Sequence, residues 1–89
     1  MASYELRLAA PVRRSLTRLP EFAATAVAEF ITGPLLENPF RVGKPLEKDF
    51  AGYFGARRGT YRVVYRVIEE KHLVRVIRID HRADVYRPR

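Results

Sequence analysis

The chain has 89 residues, 17 basic against 10 acidic, a net charge of +7 and no cysteine. That length allows one domain, residues 1–89, and so small a domain buries only about 60% of the surface its unfolded chain would expose. The absence of cysteine excludes a disulfide scaffold, a thiolate metal site and a cysteine nucleophile. With only His72 and His81 as imidazoles, no structural metal is expected. No apolar run nears the roughly 20 residues that span a bilayer. The first five residues do not read as a secretory signal. A cytoplasmic location without membrane contact is therefore expected. A composition 47% hydrophobic and 30% charged is that of a folded domain.

In chain order, Tyr4 to Leu8 alternates as a short strand. Pro11 suits a first helical turn, and Val12, Leu16 and Leu19 then fall at i, i+4 and i+7, with Arg13, Arg14 and Arg18 on the other side. Pro20 breaks this helix and starts another. In the second, Phe22, Ala23, Ala26, Val27, Phe30 and Ile31 read as one apolar face packed on a sheet. Gly33-Pro34 ends it, with one more turn predicted at Leu35-Leu36. Residues 38–52 hold Asn38-Pro39, Gly43, Pro45 and Gly52 and read mostly as loop.

From residue 53 the period becomes two. Tyr53 to Arg57 is a weak strand, Arg58-Gly59 a turn, and Thr60 to Ile68 a strong strand. Its odd-numbered positions Tyr61, Val63, Tyr65 and Val67 line one face; Arg62, Val64, Arg66 and Ile68 line the other. After a polar turn at Glu69–His72, Leu73 to Asp80 forms a second strong strand. Centring the hairpin on Glu70-Lys71 places Arg66 opposite Arg75 and Arg62 opposite Ile79. The expected fold is α+β: an N-terminal strand, a helical hairpin, then a three-stranded antiparallel meander, with the helices on one face of the sheet.

The positive charge is uneven. Residues 57–89 hold ten basic groups against four acids, an excess of +6, whereas residues 1–56 hold seven against six. Fourteen of the basic groups are arginine, the better fork for phosphate. A one-sided arginine excess suits a polyanionic partner such as nucleic acid.

The stretches Lys44-Pro45-Leu46, Ala56-Arg57-Arg58-Gly59-Thr60-Tyr61-Arg62-Val63-Val64-Tyr65 and Ile79-Asp80-His81-Arg82-Ala83-Asp84-Val85-Tyr86-Arg87 resemble the RelE/ParE toxin superfamily, most of all its actinobacterial RelE branch. The β-α-α-β-β-β order agrees, so the resemblance runs through nearly the whole chain. It implies a toxin of a type II toxin–antitoxin module, an endoribonuclease that cuts mRNA in the ribosomal A site and stops translation. It implies a cognate RelB-like antitoxin, contact with operator DNA only through the antitoxin complex, and no cofactor. Within the same superfamily, a ParE-like inhibitor of DNA gyrase is the alternative; a non-catalytic RNA- or ribosome-binding module is another.

RNA cleavage through the ribose 2′-OH needs in-line positioning, removal of its proton, protonation of the leaving 5′-oxygen and charge stabilisation on phosphorus. The resemblance assigns Arg62 and Arg82 to phosphate, Tyr86 to the attacked nucleotide, and His81 to proton transfer. An arginine grips phosphate but cannot serve as base. Arg57, Arg58, Lys44, Lys48 and Arg87 are the expected RNA-binding residues. The chain departs from the best-known family member at Tyr53 and Gly55, where that protein has lysines.

Overall fold

The computed structural model, which describes residues 3–81, is built on a five-stranded sheet of order β1-β5-β4-β3-β2. Strand β1 is Glu5–Leu8, β2 Lys44–Pro45, β3 Phe54–Arg58, β4 Tyr61–Ile68 and β5 Leu73–His81. The last three form the expected antiparallel meander. Strand β1 pairs in parallel with β5, so the first strand closes one edge beside the last. Between β1 and β2 come α1 (Ala10–Arg18), α2 (Glu21–Thr32), α3 (Pro34–Glu37) and α4 (Pro39–Val42). Three of these helices, α1, α3 and α4, carry proline in the first turn, where a missing N–H leaves no bond unmade.

All four helices contribute to a layer on one face of the sheet, here the inner face. The core joins Val12, Val27, Phe30, Ile31 and Leu35 from the helices to Ala56, Val63, Tyr65, Val74 and Val76 from the strands. Each aliphatic side chain so buried contributes about 1.5–3 kcal/mol. The opposite, outer face carries Arg62, Val64 and Arg66 of β4, as the alternation predicts.

Three expectations are corrected. First, residues 38–52 are not mostly loop. Pro39 opens helix α4, Lys44–Pro45 pairs with Phe54–Gly55, and Lys48–Phe50 is a 3-10 turn. Pro45 is tolerated because β2 is an edge strand, which need not donate outward. Second, Phe22 and Ala26 are not core: Phe22 is 79% exposed and Ala26 is exposed as well, whereas Ala23, Val27, Phe30 and Ile31 are buried. Phe22 lies one residue, about 100° of rotation, ahead of Ala23, which carries it off the buried stripe.

Third, the β4–β5 register holds only near the turn. Arg66 pairs with Arg75 as predicted, but an irregularity sits between Val64 and Tyr65: Tyr65 pairs with Val76 and Val64 with Arg78. Ile77 is the extra residue of a β-bulge, which shifts everything beyond it by one. Arg62 therefore faces Asp80, not Ile79. Elsewhere the β3–β4 connection is a two-residue turn led by Gly59 at φ +62°, a conformation glycine adopts without a Cβ penalty.

Candidate active site

A recess of about 500 Å³ opens at the β2–β3–β4 edge. Its walls include Val42 and Gly43 at the end of α4, Lys44 of β2, Arg57 of β3, and Tyr61 and Arg62 of β4. Cross-strand pairing explains the gathering of charge: Arg62 pairs with Arg57 on one side and Asp80 on the other, and Lys44 pairs with Gly55. Gly55 lets these side chains approach. A Cβ there would stand 3.2 Å from Leu46 Cδ2 and 3.3 Å from Arg62 Cδ. The departure noted at residue 55 thus makes room for the arginine stem and brings Lys44 alongside it.

Arg62 is incompletely satisfied. Its terminal Nη2 lies 3.6 Å from Asp80 Oδ2, too far for a hydrogen bond, while Arg78 Nε donates to Asp80 Oδ1 at 2.9 Å. Among the described residues, Arg62 Nε and Asp80 Oδ2 are both buried without a hydrogen-bond partner. Buried polar groups are nearly always paired, and leaving one unpaired costs about 1–3 kcal/mol. The Arg62 side chain is nonetheless 34% exposed, so an oxyanion entering the recess can reach the outer N–H groups of the guanidinium, though not the buried Nε.

Tyr65 fixes the wall of this recess. It is fully buried, and its hydroxyl donates to the carbonyl of Pro39 at 2.6 Å, tying β4 to α4 just before Val42 and Gly43. Burial pushes its phenol up to about 12. Tyr65 is thus a core residue on the strand face it shares with Val63 and Val67.

The other site residues expected from the sequence are dispersed. His81 ends β5 opposite Tyr61, with ring centroids 4.8 Å apart and its Nε2 3.3 Å from the Thr60 hydroxyl. Pairing with Tyr61 sets it on the face opposite Arg62 and Asp80. Arg58 also turns inward: its guanidinium lies 3.8 Å from the Phe30 ring centroid, and Nη1 donates to the Arg57 carbonyl at 2.8 Å. Lys48 stands on the 3-10 turn and does not line the recess. Arg82, Tyr86 and Arg87 lie outside the described residues. Asp80 was missed from the sequence because the bulge alone brings it opposite Arg62.

Comparison with known proteins agrees with this architecture. The family model described as "ParE toxin of type II toxin-antitoxin system, parDE" matches residues 6–86. Toxin RelG of Mycobacterium tuberculosis is 50% identical over 84 residues, covering 94% of this chain and 97% of the relative. Toxin RelE of the same organism is 49% identical, covering 94% and 87%. Among solved structures, a chain of the toxin–antitoxin complex RelBE2 from M. tuberculosis superposes with a TM-score of 0.87 at 49% identity, covering 94% of this chain and 97% of that one. A free E. coli RelE variant shares the fold at a TM-score of 0.74 and 22% identity, over 96% of this chain and 88% of that one. No helix among the described residues is long and apolar enough to cross a membrane. The chain belongs to the RelE/ParE superfamily of type II toxin–antitoxin toxins, and within it to the RelE type.

Proposed function

We propose that the protein is a ribosome-dependent endoribonuclease that cuts mRNA in the A site by attack of a ribose 2′-OH, and so halts translation. The observation that carries this reading is the partly exposed Arg62 guanidinium, held beyond hydrogen-bond distance of Asp80, in a recess shared with Arg57 and Lys44. Three cations around one concavity suit a pentacovalent phosphorane, whose extra negative charge they offset. Arg62 grips two non-bridging oxygens as a fork, and Arg57 and Lys44 hold the flanking backbone. Arg82 joins the phosphate clamp, Tyr86 engages the attacked nucleotide, and His81 exchanges protons, all three by resemblance. Lys48, Arg58 and Arg87 supply further positive charge for the RNA. A RelB-like antitoxin, as in the RelBE2 complex, is the neutralising partner, and it carries the pair to operator DNA.

Primer extension on a defined mRNA, with and without ribosomes holding an empty A site, tests the reading. New 3′ ends inside the A-site codon, dependent on ribosomes and lost in Arg62→Ala, are expected. Cleavage undiminished in Arg62→Ala removes Arg62 from the chemistry. The second reading, by resemblance to the ParE toxins whose family model the chain matches, is inhibition of DNA gyrase. It predicts instead no new RNA ends, and supercoiling inhibition that survives Arg62→Ala.

A further inference from the structure

The outer face of the sheet carries a second group of arginines away from the recess. Arg7, Arg75 and Arg66 form a row across β1, β5 and β4: Arg7 pairs with Arg75, and Arg75 with Arg66. All three are exposed. Strands about 4.8 Å apart set them side by side. Like charges directly opposite one another repel, and this row repeats the arrangement twice. Among the described residues no carboxylate relieves it. Among the described residues the ion pairs are Arg62–Asp80 and Arg78–Asp80, and Glu5, two residues before Arg7 on the same face, pairs with neither neighbour.

Arg66 and Arg75 border a recess of about 210 Å³ together with Tyr53, Ile68 and Ile77. The segment joining β2 to β3 separates it from the first recess. Leu46 packs over Gly55, Phe50 lies 5.4 Å from the Arg78 guanidinium, and Val64 beneath is only 1% exposed. Along β4, Arg66 stands four residues from Arg62, about 13 Å at 3.3 Å per residue.

We propose that Arg7, Arg66 and Arg75 form a distal binding site for the sugar–phosphate backbone of RNA, with Tyr53 as its stacking plane. Three arginine forks in a row match successive backbone oxygens, and an aromatic ring beside them accepts a base in any sequence. The face suits RNA better than an acidic protein segment. Such a segment, folding as an amphipathic helix, needs apolar anchors. Among the described residues the large exposed apolar side chains, Phe22 and Phe40, belong to the helical layer instead. The site deepens the RNA-cleaving reading and rests on it, since it extends the same arginine-rich face beyond the scissile phosphate.

The test is fluorescence anisotropy with a labelled 2′-O-methyl oligoribonucleotide of about a dozen nucleotides, read across a salt series. Each phosphate contact contributes about 0.7 to the slope of log affinity against log salt on a single strand. The triple variant Arg7→Gln, Arg66→Gln, Arg75→Gln should flatten that slope by about 2, and Arg66→Gln alone by about 0.7. A control with Arg13→Gln, Arg14→Gln and Arg18→Gln on α1 removes equal charge and should change it far less. An unchanged slope in the row variants, or equal flattening in the control, overturns the proposal. So does a row variant that keeps its RNA slope but loses an acidic antitoxin. The probe lacks a free 2′-OH, so the result is independent of cleavage. A flattened slope with no ribosomal cleavage keeps the distal site and removes the nuclease reading; the reverse does the opposite.

Discussion

Replacing Tyr65 by phenylalanine isolates one oxygen atom that joins the core to the site. The ring stays in place, so the apolar burial of a fully buried side chain is retained. What goes is the 2.6 Å bond to the Pro39 carbonyl, itself buried and left without that partner. An unpaired buried acceptor costs roughly 1–3 kcal/mol, so about 2 kcal/mol is expected. In a domain of this size each kcal/mol moves the midpoint by roughly 4–8 °C, which gives a fall of about 8–16 °C in a circular-dichroism melt. The effect has a pH signature. The buried phenol is held up to about 12, above its ordinary value near 10. A raised folded value contributes stability that is complete below pH 10 and is lost as pH rises through 12. Wild type should therefore lose stability more steeply than the variant between pH 10 and 12, closing a gap of up to about 2–3 kcal/mol. A midpoint within about 3 °C of wild type at neutral pH, or a gap that stays constant to pH 12, would refute the reasoning. Because Pro39 anchors the chain that walls the recess, cleavage per folded molecule should fall as well.

Gly55→Val would push its branched side chain into Leu46 and the Arg62 stem, which already approach the Cβ position to 3.2 and 3.3 Å. Displacing the guanidinium by about 1 Å should cost on the order of 100-fold in single-turnover cleavage. Leu35→Ala empties a side chain with no exposure and should cost about 2–5 kcal/mol by urea titration. The Tyr4 hydroxyl donates to Glu69 Oε1 at 2.5 Å, and this bond to Glu69 raises the phenol above its ordinary value. Glu69→Gln should lower that titration, seen as the ultraviolet difference between proteins with Tyr4 and with Tyr4→Phe; an unmoved midpoint would detach the shift from Glu69.

Much of this arrangement was legible in the sequence. Alternation from Tyr61 to Ile68 divided β4 correctly into a core face and an arginine face, because strand geometry leaves no other option. The Arg66–Arg75 pairing followed from the turn. The Arg62–Asp80 contact did not, since it depends on one unpaired residue, Ile77. A trace of the bulge was nonetheless present: the buried series on β5 steps from Val74 to Val76 and then by three to the half-buried Ile79, a break in the period of two. Leu73 and Ile77, also apolar, hid it. Phe22 misled for a related reason: its hydrophobicity was plain, but its angle on the helix put it outside the stripe. The approach of Lys44 to Gly55 was beyond reach, because an edge strand of two residues leaves no periodicity.

The parallel pairing of β1 with β5 sets the order in which the molecule can be completed. Glu5–Leu8 has no partner until Leu73–Val76 exists, a wait of some 65 residues that lasts several seconds at about 5–20 residues per second. Until then α1 has no β5 to cover, and Val12, fully buried in the finished protein, has nothing from that strand to pack against. Loop closure over that separation must come before the contacts reward it, which makes the last seam of the sheet the slow one. The nascent chain therefore passes through most of its synthesis with its first strand unsheltered, open to any partner able to lend it an edge.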